Sequence, residues 1–287
     1  MDPFESYRAY LFSIAYRMLG SAMDAEDMVQ ETYLRYRATA PDAIASPKAF
    51  LTTIVVRLCT DQLHLARRQR ETYVGPWLPE PISDVAALQE ENPAERVDVE
   101  ESVSLAFLVL LERLQPVERA VFLLREVFEY EYAEIASFLG KSELACRQAF
   151  SRAKKHLADH RPRFSASDES HRNMLLSFER AVQAGDMDAL MNMLSEDVTL
   201  WADGGGKVKG AATRPVSGAL AVARFSIGAT RRFLPEEYRV DVEEVNGEPA
   251  LVIRDAGRAY FVLTIEVWAQ QIHSVRIVAN PDKLAHV

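Results

Sequence analysis

The sequence predicts a multidomain chain: two all-α domains, the second with a helix-turn-helix, followed by an α+β domain. Three observations carry that expectation. Residues 4–70 hold apolar side chains at helical spacing and no alternating run. From Tyr132 to Leu157, two short helical patterns are separated by Gly140 and reopened at Ser142, a helix-ending and a helix-capping residue type. The third part opens with helical patterns at Met174–Ala184 and Asp186–Leu194, a strand at Val198–Trp201 and a helix at Ala219–Phe233, after which the apolar period falls to two, with Asn246-Gly247 and Asp255-Ala256-Gly257 as hairpin signals. The expected parts are residues 1–72, a linker at 73–99, residues 100–163, and residues 168–287.

The N-terminal pattern divides into two helices at Leu19-Gly20-Ser21, with Asp24 expected as the second N-cap. The first helix carries Tyr7, Leu11, Ile14, Ala15 and Met18 inward; the second carries Met28, Val29, Thr32, Tyr33 and Tyr36. The second helix shows Asp27, Gln30, Glu31 and Leu34 on its other face, an acidic strip with one apolar residue. Pro47 suits the first turn of a third helix running to about Arg70. That helix buries Phe50, Leu51, Ile54, Leu58 and Leu65 and turns Thr53, Arg57, Thr60, His64, Arg67 and Arg68 outward. A basic run of this kind is ordinarily a solvated helix end.

The linker ETYVGPWLPEPISDVAALQEENPAERVD is broken by prolines and favours extended backbone. Trp77, Leu78 and Pro79 are too apolar for a solvated tether and should dock. Beyond it, VSLAFLVLLERL and the helix opened by Pro116 supply a core. On the second helix of the helix-turn-helix, Cys146, Ala149, Phe150, Ala153 and Leu157 face inward. Leu144, Arg147, Gln148, Ser151, Lys154 and Lys155 face outward, with Arg152 at the edge. Such a donor-rich face suits a phosphate-lined major groove, although a basic solvated helix has the same pattern.

Composition narrows the class. Hydrophobic content of 48% with 26% charge belongs to an ordinary globular chain, which excludes a low-complexity polymer. No apolar run has the length of a membrane span and the N-terminus lacks a basic-then-apolar leader, so a cytoplasmic protein without membrane contact is expected. Cys59 and Cys146 sit in helical patterns without metal spacing, so reduced buried thiols, no metal and no cofactor are expected. A net charge of −9 confines any DNA-binding surface to a local patch.

The order AYRMLGSAMDAEDMVQETYLRYR, SPKAFLTTIVVRLCTDQLHLARRQRE, helix-turn-helix resembles bacterial sigma factors of the extracytoplasmic-function class. The resemblance covers nearly all of residues 4–160. It implies that Asp27, Gln30 and Glu31 meet the β′ clamp helices of core RNA polymerase, with the β flap a second contact. It implies further that Arg57, Thr60, His64, Arg67 and Arg68 read and open the promoter −10 element, and that residues 115–157 read the −35 element.

The WLPEP linker also marks a subgroup of that class with a fused SnoaL/NTF2-like domain. The same subgroup carries a DGGGK loop, here Asp203, Gly204, Gly205, Gly206 and Lys207, and a terminal NPDKL, here Asn280, Pro281, Asp282, Lys283 and Leu284. Both are taken as contact segments through which the third domain holds the linker and the helical domains in cis. DGGGK lacks P-loop spacing, and a close-approach loop is favoured over an anion nest. Of the titratable residues there, only Asp203 and His273 invite an enzymatic reading, and without a supporting pair catalysis ranks below regulation. The expected function is a promoter-specificity subunit restrained by its own third domain. Its alternatives are a one-component helix-turn-helix regulator with a ligand-binding third domain, and a bifunctional enzyme.

Overall fold

The first helix, α1 (Arg8–Leu19), stops where Gly20 turns left-handed at φ 68°. Ser21, rather than Asp24, then caps α2 (Ala22–Arg37), accepting the Asp24 amide at 3.1 Å. Asp24 lies inside the first turn, where its charge complements the helix dipole. α3 spans Pro47–Arg70. The computed structural model describes residues 3–70, 72–83, 103–158 and 168–287. These fall into two compact units, 3–70 with 103–158 and 72–83 with 168–287. The expected boundaries at residues 99 and 163, and the linker beyond Ser83, lie outside the described residues.

In the first unit, α1–α3 pack with α4 (Leu105–Leu111), α5 (Pro116–Glu126), α6 (Tyr132–Leu139) and α7 (Glu143–Ala158). Leu11, Ile14, Leu51, Val55, Val56 and Cys59 are buried on one side, and Leu108, Leu123, Ile135, Cys146 and Ala153 on the other. Leu65, expected inside, is 56% exposed; the buried position on that turn is Leu63. The two helical domains meet through reciprocal arginine caps. From α5, Arg119 donates to the Arg17 carbonyl near the end of α1 at 3.1 and 3.3 Å, and pairs with Glu112 at 2.5 Å. From α3, Arg57 donates to the Phe138 and Ser137 carbonyls at the end of α6, at 2.7 and 3.2 Å. Terminal carbonyls of a helix lack a partner further along it; the Arg57 fork meets two of them, while Arg119 places two donors on one.

The second unit contains α8 (Asp168–Ala184), α9 (Met187–Met193), α10 (Ala219–Phe233) and, among the described residues, a six-stranded sheet. The strands are β1 (Leu194–Asp203), β2 (Val216–Ser217), β3 (Arg239–Val245), β4 (Glu248–Asp255), β5 (Arg258–Trp268) and β6 (Gln271–Val278), in the order β2-β1-β6-β5-β4-β3. The antiparallel meander expected from the alternating runs is β3 to β6. β1 differs: it pairs parallel to β6, making the sheet mixed. Leu175, Phe178, Val198, Leu200, Val222 and Val275 lie in the core between helices and sheet. This is the α+β architecture the SnoaL/NTF2-like resemblance implied.

Candidate functional site

The helix-turn-helix is built as its residue types dictate. α6 ends at Gly140 in the left-handed region (φ 62°), and the Ser142 hydroxyl accepts the Ala145 amide at 3.2 Å to start α7. Cys146, Ala149, Ala153 and Leu157 are buried beneath it, with Phe150 half-buried. Leu144, Arg147, Gln148, Ser151, Arg152, Lys154 and Lys155 are all exposed. Arg147 lies 4.3 Å over the Tyr132 ring and 3.5 Å from Glu143, which orients it along the helix start. Lys154 reaches Glu126 at 3.2 Å. Arg152 is turned back to the buried Glu118 at 2.8 Å, so it ties α7 to α5 in this state. The outward face therefore has carboxylates at its margins, which the helix-wheel reading did not include.

On α2, Asp27, Gln30 and Leu34 are exposed, and Glu31 is half-buried against Arg35 at 2.8 Å. On α3 the outward set is less uniform than expected. His64 is exposed, Thr60 returns its hydroxyl to the Val56 carbonyl at 2.7 Å, and Arg57 is engaged in capping α6. The side chains of Arg67 and Arg68 lie outside the described residues.

In the second unit the linker residues and both loop motifs come together on one carboxylate. Asp203 is 0% exposed. Its Oδ1 accepts from the Tyr73 hydroxyl at 2.5 Å and the Gly205 amide at 3.1 Å. Its Oδ2 accepts from the Leu78 amide at 2.8 Å and from Lys283 Nζ at 2.7 Å. Lys283 also donates to the Leu78 carbonyl at 2.5 Å and lies 4.1 Å over the Trp77 ring. Asn280 donates to the Tyr73 oxygen at 3.0 Å. Burial, followed by the bond to Asp203, pushes the Tyr73 phenol pKa upward, so it remains a donor well above neutral pH.

The chain beyond is seated as firmly. Leu78, Pro79, Glu80, Pro81 and Ile82 are buried. Asn246, in the β3–β4 turn, exchanges two hydrogen bonds with the Ile82 backbone at 2.9 and 3.1 Å. The Ser83 amide donates to the His286 carbonyl at 3.0 Å. The glycines of DGGGK have a steric reason. A Cβ on Gly205, whose φ is +57°, would lie 2.5 Å from Asn280 Nδ2, and one on Gly204 would lie 2.6 Å from Ala211 Cβ. Lys207 is ion-paired with Asp282, and Pro281–Lys283 form a 3₁₀ turn capped by Asn280, with Leu284 buried after it.

Tyr73 and Asn246 were not singled out from the sequence. A tyrosine among linker prolines has no distinguishing pattern, and Asn246-Gly247 was already accounted for as a hairpin turn. The two residues considered for catalysis are differently occupied. Asp203 is committed to the linker, while the His273 ring stacks on Trp268 at 4.0 Å with Nδ1 3.5 Å from Asp197.

A helix-turn-helix with a basic outer face, packed against a helical domain with an acidic strip, defines a DNA-binding transcription factor. Residues 3–71 match Sigma-70 region 2 and residues 104–157 match Sigma-70, region 4. The chain is 39% identical to the ECF RNA polymerase sigma factor SigJ of Mycobacterium tuberculosis, over 99% of this chain and 92% of that one. It is 31% identical to a probable ECF RNA polymerase sigma factor, SigI, of the same organism, over 97% and 92%. The crystal structure of Mycobacterium tuberculosis SigJ superposes at TM-score 0.75 with 36% identity, covering 99% of this chain and 97% of that one. The chain belongs to the extracytoplasmic-function sigma factor family.

Proposed function

We propose that this sigma factor directs bacterial core RNA polymerase to its promoters and is restrained in cis by its C-terminal unit, which holds the start of the interdomain linker. The supporting observation is the Asp203 carboxylate, shared between linker (Tyr73, Leu78) and tail (Lys283). In this reading Asp27, Gln30 and Glu31 meet the β′ clamp helices, and the β flap meets the second helical domain. Arg57, Thr60, His64, Arg67 and Arg68 serve the −10 element. Leu144, Arg147, Gln148, Ser151, Lys154 and Lys155 serve the −35 element, with Arg152 joining them once it leaves Glu118.

In this reading the described state has to open. The two promoter elements are named for positions about 25 base pairs apart, or about 85 Å of duplex at roughly 3.4 Å per step. Arg57, on the −10 reader, is bonded directly to the end of α6, part of the −35 reader. Both elements cannot be read while those bonds persist. Held linker residues 72–83 are unavailable to span that distance, so the C-terminal unit adds to the cost of opening. A restraint of a few kcal/mol keeps the open form to a minor population, which core polymerase and promoter then capture.

The test is run-off transcription from one cognate promoter, with purified core enzyme and equal amounts of full-length protein and a chain ending before Asn280. The truncated chain loses Asn280 and Lys283 and should give several-fold more transcript. Equal or lower output from a well-folded truncation contradicts the restraint. A DNA shift by the full-length protein that is as strong without core polymerase as with it would favour the one-component regulator instead.

A further inference from the structure

The chain as a whole carries a net charge of −9, yet residues 204–235 hold six cations (Lys207, Lys209, Arg214, Arg224, Arg231, Arg232) and no Asp or Glu. Other cations of the second unit are answered by carboxylates: Arg239 by Asp241 at 2.6 Å, Arg254 by Glu243 at 2.7 Å, Arg276 by Glu266 at 2.8 Å. Of the six, only Lys207 has such a partner among the described residues, Asp282. Uncompensated cations on an otherwise acidic molecule make a local field that favours a polyanion.

α10 gathers three of them. Arg224, Gly228, Arg231 and Arg232 recur at three- and four-residue steps, which puts them on one helix face, and all four are exposed. Lys209 is brought to the end of that helix, because the next residue, Gly210, lies against the Phe233 ring. Arg231 and Arg232 stand in the last turn, where the helix dipole favours a cation. The dipole accounts for neither Arg224 in the middle of the helix nor the glycine one turn after it. Glycine weakens a helix interior relative to alanine. A Cβ on Gly228 would meet nothing within 4 Å, so no neighbour in the fold requires its absence. A bare step between arginines leaves the helix backbone open to close approach from outside.

Spacing and tether favour duplex DNA among polyanions. From Arg224 to Arg232 the helix rises about 12 Å, close to the width of a B-DNA major groove, so the two guanidinium groups match phosphates on its opposite edges. α7 ends at Ala158 and α8 begins at Asp168, nine residues apart. Even fully extended, that stretch spans no more than about 35 Å. Once α7 lies in the −35 element, the second unit is therefore tethered within reach of the adjoining duplex. The downstream side leads to the −10 reader, which leaves the upstream side.

We propose that the exposed face of α10, together with Lys209, grips the phosphate backbone of duplex DNA just upstream of the −35 element, whatever its sequence. The proposal rests on α7 reading that element and is independent of the cis restraint. The probe is a promoter duplex that the holoenzyme selects from a random pool. It is used cut just upstream of the −35 element, or extended by two helical turns, about 20 base pairs, of arbitrary sequence. Holoenzyme with the unaltered chain should bind the extended duplex at least fivefold tighter than holoenzyme with Arg224→Gln, Arg232→Gln. The two should bind the cut duplex equally. On the extended duplex, the slope of log affinity against log salt should flatten by about 2 in the variant, one for each phosphate contact. Gly228→Glu should lose the same fivefold while its thermal unfolding is undiminished, since the added side chain meets no neighbour.

Equal binding of the extended duplex by unaltered and substituted holoenzymes overturns the proposal. A loss as large on the cut duplex, or a loss of affinity for core enzyme instead, also overturns it and puts a protein surface on α10. Failure of the unaltered holoenzyme to bind even the cut duplex would refute the −35 reading itself, and the proposal with it.

Discussion

At the scale of single residues, the account turns on Asp203 and its lysine. The Lys283–Asp203 pair has side chains 11% and 0% exposed, so removing one partner leaves a buried charge uncompensated. Replacing Lys283 by Met should cost about 3–5 kcal/mol. All three tryptophans, Trp77, Trp201 and Trp268, lie in the second unit, so urea unfolding followed by tryptophan fluorescence reads this loss without interference from the helical domains. Asp203→Asn should cost less, because the amide oxygen still accepts from the Leu78 amide. Equal stability of Lys283→Met and the unaltered protein would mean that the pair is ornamental. The sequence named Asp203 and Lys283, but not that one carboxylate would gather Tyr73, Leu78 and Lys283. Residue type shows that a group can accept hydrogen bonds; chain path decides which donors arrive.

At the scale of elements, helix positions were readable because apolar periodicity and cap chemistry are local. Gly20 and Gly140 end helices, and Ser142 starts one, as their types require. What was not readable is non-local. Nothing in the alternation of β1 tells whether its neighbour runs parallel, and nothing in α3 tells that Arg57 caps α6. Two functional faces give separate predictions. Charge reversal of Asp27 and Glu31 to Arg on α2 should weaken binding to core polymerase at least tenfold while leaving the thermal unfolding of the protein unchanged, since both are on the helix's polar side. Co-purification with core enzyme at undiminished affinity would refute that face. On α7, Arg147→Ala should cost about 1–3 kcal/mol at one base pair of the −35 element if its fork meets a guanine. Lys154→Ala should instead reduce affinity for every variant and flatten the salt dependence. An Arg147→Ala loss that is equal across all −35 variants would reduce Arg147 to a phosphate contact.

At the scale of the whole molecule, the chain's division cuts across the linker: residues 72–83 belong with the C-terminal unit although they follow α3 in sequence. Composition hinted at this, since Trp77 and Leu78 needed burial, but it did not say which surface would bury them. The central claim is that the free protein holds this segment and core polymerase releases it. Hydrogen exchange at the linker amides tests it most directly, because the Leu78, Ile82 and Ser83 amides are donors to Asp203, Asn246 and His286. In the free protein these amides should be protected, and on binding core enzyme and promoter their exchange should accelerate at least tenfold. Amides that exchange freely in the free protein, or that stay fully protected in a transcribing complex, would contradict the account.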